Sequence, residues 1–142
     1  MKVLVINGPN MNLLGKREPE IYGSADLQEL EGLIAKEAEA LGIEVEFFQS
    51  NHEGEIIDAI HKVGAEKKEG IILNAGAFTH YSYAIHDAIK GTGVRAVEVH
   101  MSNICAREEF RSKSVIAPAC MGQISGFGIN SYIAALYLLK RC

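Results

Sequence analysis

The sequence contains no apolar run of membrane-spanning length, no basic segment leading into an apolar stretch and no low-complexity tract. A span needs roughly eighteen or more consecutive apolar residues, so neither a membrane anchor nor an export signal is expected, and the expected location is the cytoplasm. A basic excess is missing too: fourteen Lys and Arg stand against eighteen Asp and Glu, for a net charge of −4. Nucleic acid is therefore not an expected partner, because its phosphates call for a basic face. Cysteine is scarce. Cys105, Cys120 and Cys142 are odd in number and show neither a C-x-x-C pair nor metal-ligand spacing, which predicts reduced thiols and no metal site. No cysteine is followed by five residues and an arginine, since Cys105 and Arg107 are only two apart, and this removes a cysteine-dependent phosphatase. G-x-x-x-x-G-K-[ST] and G-x-G-x-x-G are also absent, which leaves nucleotide binding with little support.

What is present is a chain of 142 residues, 48% hydrophobic, enough for one domain over residues 1–142 with a proper core. Apolar runs of strand length fall at Lys2–Ile6, Glu44–Phe48, Gly70–Leu73, Arg95–Val99 and, less sharply, Ala119–Ile124. Helical periodicity separates them near Asp26–Leu41, Gly54–Ala65, Tyr83–Lys90 and Ile129–Lys140. Alternation of short buried strands with helices predicts an α/β three-layer sandwich around a parallel sheet. Five strands favour the flavodoxin-like order 2-1-3-4-5, with a ligand beyond the carboxyl ends of the strands.

The residues after those strands are polar in three places: Asn7-Gly8-Pro9-Asn10, Asn74-Ala75-Gly76-Ala77-Phe78-Thr79-His80 and His100-Met101-Ser102-Asn103. Gln49-Ser50-Asn51-His52 after the second strand reads more simply as a helix N-cap. The first connection is unusually long. It runs about eighteen residues where two to six are common, which marks a functional loop, and it carries Arg17 and Tyr22 in a candidate lid near 16–24.

Tyr22 alone would be an ordinary half-buried surface aromatic. Arg17, five residues upstream, can bring a guanidinium to the phenol and favour its anion. One exposed arginine is insufficient for a base that operates at neutral pH, which needs roughly 4 kcal/mol; Arg111 is the candidate second cation. Glu98 and His100 share one face of a strand, so the carboxylate can orient the imidazole as a general acid; a strand-end histidine bonded to backbone is the alternative. Asn10, Asn74 and Ser102 are neutral hydrogen-bonding groups suited to a polyhydroxylated or carboxylate ligand, although each also suits a turn or cap.

Taken in order, Asn7-Gly8-Pro9-Asn10 with Gly15 to Gly23, then Asn74 to Ala77 with Thr79-His80, then Glu98 to Asn103 and Arg107 to Arg111 resemble type II 3-dehydroquinate dehydratase over almost the whole chain. That resemblance implies a flavodoxin-like subunit that dehydrates 3-dehydroquinate to 3-dehydroshikimate through an enolate, without metal or organic cofactor, in a homododecamer of four trimers. It further implies Tyr22 as the base, Arg17 as the group favouring its ionised form, and Asn10 as holder of a water on the enolate oxygen. His100, oriented by Glu98, would protonate the leaving hydroxyl. Ser102 and the Met101 backbone would take the carboxylate, and Asn74, His80 and Arg111 the remaining oxygens. Asp87 would come from a neighbouring subunit. Met11 stands where the family's opening motif has leucine, a volume-conserving swap.

The unrelated route to the same product needs a desolvated lysine amine. The nine lysines, Lys67 and Lys68 among them, fall in loops, strand starts or polar helical faces, so no buried amine is expected. The rival from another class is a flavodoxin-like flavin carrier or phosphoacceptor receiver without catalysis. A receiver needs aspartate at the end of the third strand, where this chain has Asn74, and a flavin carrier needs aromatic ligand loops and a hydroxyl-rich first loop.

Overall fold

The computed structural model describes residues 1–66 and 68–142. Five strands, β1 (Lys2–Asn7), β2 (Glu44–Gln49), β3 (Gly70–Asn74), β4 (Ala96–His100) and β5 (Gly122–Ser125), pair in parallel in the order β2-β1-β3-β4-β5. Val3 faces Val45 on one side and Gly70 on the other, and Leu73 faces Glu98. This in-register stacking brings the ends of β1, β3 and β4 to one edge. The sheet order expected from the strand and helix pattern is the order observed.

Alternation along β1 builds both faces of the core. Val3 and Val5 point to one side, where they meet Leu30 and Ile34 of α2 (Leu27–Ala40) and Tyr132 and Leu136 of α5 (Asn130–Arg141). Leu4 and Ile6 point to the other, against Ile56 and Ile60 of α3 (Glu53–Glu66) and Ile85 and Ile89 of α4 (Tyr83–Thr92). Period two in the strand and period 3.6 in the helices thus fill one layer each side. Asp26 caps α2 by accepting from the Glu29 N–H at 2.8 Å, and Ser82 caps α4 by accepting from the Ile85 N–H at 3.1 Å.

Some boundaries differ from the sequence expectation. Residues Ala117–Ala119 form a 3-10 turn around Pro118, so the last strand begins only at Gly122. Proline supplies no N–H for a ladder. His100 and Asn74 are the final residues of their strands rather than loop residues. The long first connection is not irregular throughout: Met11–Leu13 is a 3-10 turn and α1 (Pro19–Tyr22) a single helical turn with proline at its start. Ser50 does not act as a simple cap either, because its hydroxyl accepts from the His52 N–H and also bonds the Glu55 carboxylate. Lys67 lies outside the described residues. Lys68, expected on a polar surface, keeps only 7% of its side chain exposed, between Glu46 and Glu66.

Candidate active site

Gly8 sets the geometry of the sheet edge. A Cβ there would sit 2.7 Å from the Ala75 backbone, and the Gly8 N–H donates to the Asn74 carbonyl at 2.7 Å. Only glycine allows the two loops to approach so closely. Past Pro9 the chain turns through Asn10 in the left-handed region, φ 68°, a conformation asparagine tolerates better than most residues. Asn51 holds it: its Oδ1 accepts from the Asn10 N–H at 2.9 Å and from Gln49 Nε2 at 3.2 Å. Asn51 is a site-building residue that the sequence reading assigned to a helix cap.

A cleft of about 170 Å³ opens over this edge, smaller than the roughly 300–1,000 Å³ of sites for drug-sized ligands. Its walls include Asn10, Arg17, Tyr22, Asn74 and His80 from the first and third connections. His100, Met101, Ser102 and Arg111 close the other side. Nine of the eleven residues singled out from sequence therefore line one cleft. Glu98 is fully buried behind His100, and Asp87 lies elsewhere, exposed on α4 with its Oδ1 3.0 Å from His86 Nδ1.

Tyr22, at the end of α1, is half-buried between two guanidinium groups. Arg17 lies 5.2 Å and Arg107 5.3 Å from its ring centroid. Arg107 Nη1 donates to the Tyr22 hydroxyl at 2.8 Å and to Ser102 Oγ at 3.2 Å. The second cation on the phenol is thus Arg107, not Arg111. Arg111 Nε is bonded to the Glu108 carboxylate, which the arginine, after the backbone at Glu108, helps to hold below its ordinary pKa. Arg107 follows the 3-10 turn Ile104–Ala106 in extended backbone and Arg111 lies in the next turn, Glu109–Ser112, so no periodicity tells which one turns inward.

His100 Nε2 donates to Glu98 Oε1 at 2.6 Å, which leaves Nδ1 as the free ring nitrogen. Glu98 also accepts from Gln123 Nε2 at 2.9 Å and Ser114 Oγ at 2.8 Å. Three donors on a carboxylate with no exposure compensate its lost hydration. His80 stacks near His100, ring centroids 6.5 Å apart, and its Nδ1–H donates to the Lys113 carbonyl at 2.7 Å. Asn74 Nδ2 donates to the Tyr132 hydroxyl at 2.8 Å, and its Oδ1 accepts from the Gly76 N–H at 3.2 Å. The Tyr132 hydroxyl donates to Asn7 Oδ1 at 2.6 Å. None of this inner chain was visible in the sequence reading.

The cleft sets two guanidinium groups around a phenol, facing an imidazole backed by a buried carboxylate. Among the described residues no three His, Cys, Asp or Glu side chains converge as metal ligands, and no helix is long and apolar enough to cross a membrane. The nearly buried Lys68 is no Schiff-base amine: hydrogen bonding to Glu46 raises its pKa, and it belongs to the β2–α3 side of the fold, away from these loops.

Comparison with known proteins gives a consistent result. The model of the family Dehydroquinase class II matches residues 1–140. The 3-dehydroquinate dehydratase of Caldicellulosiruptor bescii is 68% identical over 98% of this chain and 96% of its own, and that of Clostridium perfringens 61% identical over 99% and 97%. The crystal structure of type II dehydroquinase from Butyrivibrio crossotus superposes with a TM-score of 0.96 at 50% identity, covering 98% of this chain and 97% of that one.

Proposed function

The chain belongs to the Dehydroquinase class II family, and from that premise we propose how its cleft converts 3-dehydroquinate to 3-dehydroshikimate and water, a carbon–oxygen lyase step of the shikimate pathway. A flavin-binding module without catalysis is not favoured by these relatives. Residues 1–142 act as one catalytic unit, with 16–24 as the lid.

The observation that carries the mechanism is the 2.8 Å contact from Arg107 Nη1 to the Tyr22 oxygen, opposite a histidine tied to a buried glutamate. A carbon acid beside a ketone needs a strong base, and a phenolate stabilised by two guanidinium groups supplies one. Tyr22 removes the proton, and the electron pair moves onto the ketone oxygen as an enolate. Asn10 holds a water that donates to that oxygen. The enolate then collapses, the tertiary C–O bond breaks, and His100 delivers a proton from Nδ1 so that hydroxide leaves as water. Glu98 keeps the ring oriented and stabilises its charged form. Ser102 and the Met101 backbone hold the substrate carboxylate, while Asn74, His80 and Arg111 take the remaining oxygens. Arg17 and Arg107 stay beside the Tyr22 oxygen as it passes from phenolate to phenol.

Asp87 contributes from a neighbouring subunit of a homododecamer built as four trimers. Its exposure on α4, with Tyr81 and Tyr83 also exposed at the start of that helix, supports an unpaired face there. The cytoplasm is the proposed location. The test is the ultraviolet absorbance of the conjugated enone formed from 3-dehydroquinate, with and without chelator. Absorbance that rises equally in both supports the reading. No rise, or visible absorbance above 400 nm in a protein that fails to turn over, rejects it.

A further inference from the structure

The Asn74 amide is held at both of its ends, and one of the two residues that hold it, Tyr132, lies outside the cleft. The direction can be read from one backbone group. The Gly76 N–H can only donate, so the Asn74 atom facing it at 3.2 Å is the carbonyl oxygen, and the amide NH2 must face Tyr132. The Tyr132 oxygen therefore accepts from Asn74, and its own hydrogen goes to Asn7 Oδ1 at 2.6 Å. At the end of this chain Asn7 Nδ2, fully buried, is left without a partner among the described residues. An orphaned buried amide group costs about 1–3 kcal/mol, yet turning the chain around would set the Asn74 NH2 against the Gly76 N–H and leave that donor without its acceptor as well. The fold keeps the polarity that satisfies Gly76.

That polarity has one consequence in the cleft. The second hydrogen of Asn74 Nδ2 has only Met11 Sδ, at 3.8 Å, and a thioether is a weak acceptor that a ligand oxygen can readily replace. We propose that Tyr132 is a positioning residue that locks the Asn74 amide so that it offers an N–H, and not a carbonyl, to an oxygen of the bound substrate. The inference rests on the reading of Asn74 as a substrate contact. Tyr132 can serve because it is fully buried on α5, between the strand ends of β1 and β3.

Four proteins test it by steady-state kinetics on 3-dehydroquinate with thermal melts alongside: wild type, Tyr132→Phe, Asn74→Ala and the double variant. Tyr132→Phe is expected to raise KM about three- to tenfold with a smaller change in kcat, as for loss of one aligned hydrogen bond. Asn74→Ala should raise KM similarly, and the double variant should be no worse than Asn74→Ala. Effects on KM that multiply would make Tyr132 merely structural and overturn the proposal. An Asn74→Ala enzyme with unchanged KM overturns it differently, by removing Asn74 from the substrate contacts, while turnover in the same assay leaves the catalytic reading standing. Should Tyr132→Phe not fold, Asn74→Asp decides: its carboxylate keeps an acceptor for the Gly76 N–H but has no N–H to offer the ligand. KM should then rise at least as much as in Asn74→Ala, and an unchanged KM contradicts the proposed polarity.

Discussion

Arg107 Nη1 sits 2.8 Å from the Tyr22 oxygen and 3.2 Å from Ser102 Oγ, so one guanidinium nitrogen joins the proposed base to the proposed carboxylate seat. An arginine in that place does two jobs. It donates to the phenol oxygen, and it holds the turned end of α1 against the loop after β4.

Replacing Arg107 should therefore be costly, although the sequence pattern gave the role of second cation to Arg111. Arg107→Ala is expected to lower kcat/KM by about 10²–10³-fold, the scale of losing one preorganised electrostatic contact. Arg107→Lys keeps the charge but not the fork geometry and should fall between. A kcat/KM close to wild type in Arg107→Ala would take this arginine away from Tyr22.

Why Arg111 and not Arg107 was expected beside the phenol is physical. Glu98 and His100 could be paired from sequence because a strand imposes period two, and they meet at 2.6 Å. Arg107 lies between two short 3-10 turns and Arg111 within the second, with no sustained period, so either could face inward. The sheet order followed from alternating patterns that the core obeys on both faces. The Asn7–Tyr132 bond joins residues 125 apart in sequence, and local pattern holds no trace of such a contact. Asp87 remained beyond reach for another reason: a residue proposed to act in a neighbouring subunit has, in its own chain, the setting of a helix surface.

Tyr22→Phe isolates the phenol oxygen from the ring. The ring still packs between Arg17 and Arg107, so KM should stay within about threefold while kcat falls by at least about 10²–10⁴-fold, the usual span for a lost general base. Stopped turnover with binding retained in an equilibrium assay is the expected result. Near-normal kcat would reject Tyr22 as base.

Glu98→Gln tests the other end of the cleft. The fully buried carboxylate accepts from His100, Gln123 and Ser114, and an amide in its place turns a donor toward donors. We expect kcat to fall about 10²-fold and stability in urea to drop by about 1–3 kcal/mol. A large stability loss with unchanged kcat would leave Glu98 a structural residue only.

The three thiols should separate cleanly in a labelling time course. Cys105 and Cys142 are exposed, whereas burial, with the nearby Glu98 charge second, pushes the Cys120 thiol up from 9.0 to about 12. At pH 8 that cuts its thiolate fraction by about a thousandfold, and only the thiolate reacts. Two thiols should label quickly and Cys120 only on unfolding. Rapid labelling of all three in the native protein would contradict this burial.

Tyr132 also predicts how stability responds to alkali. Burial raises its pKa well above the ordinary phenol value of about 10, so the folded protein holds the proton where the unfolded chain releases it. Below about pH 10 both states are protonated and the contribution to stability is complete; as pH climbs toward the folded value, ionisation favours the unfolded chain and the contribution is lost. The slope approaches about 1.4 kcal/mol per pH unit for one such group. Unfolding free energies measured in urea at pH 9 and pH 11 should therefore fall more for wild type than for Tyr132→Phe, by roughly 1 kcal/mol. Parallel losses in the two proteins would mean that the phenol ionises as easily inside the fold as outside, and would contradict its burial.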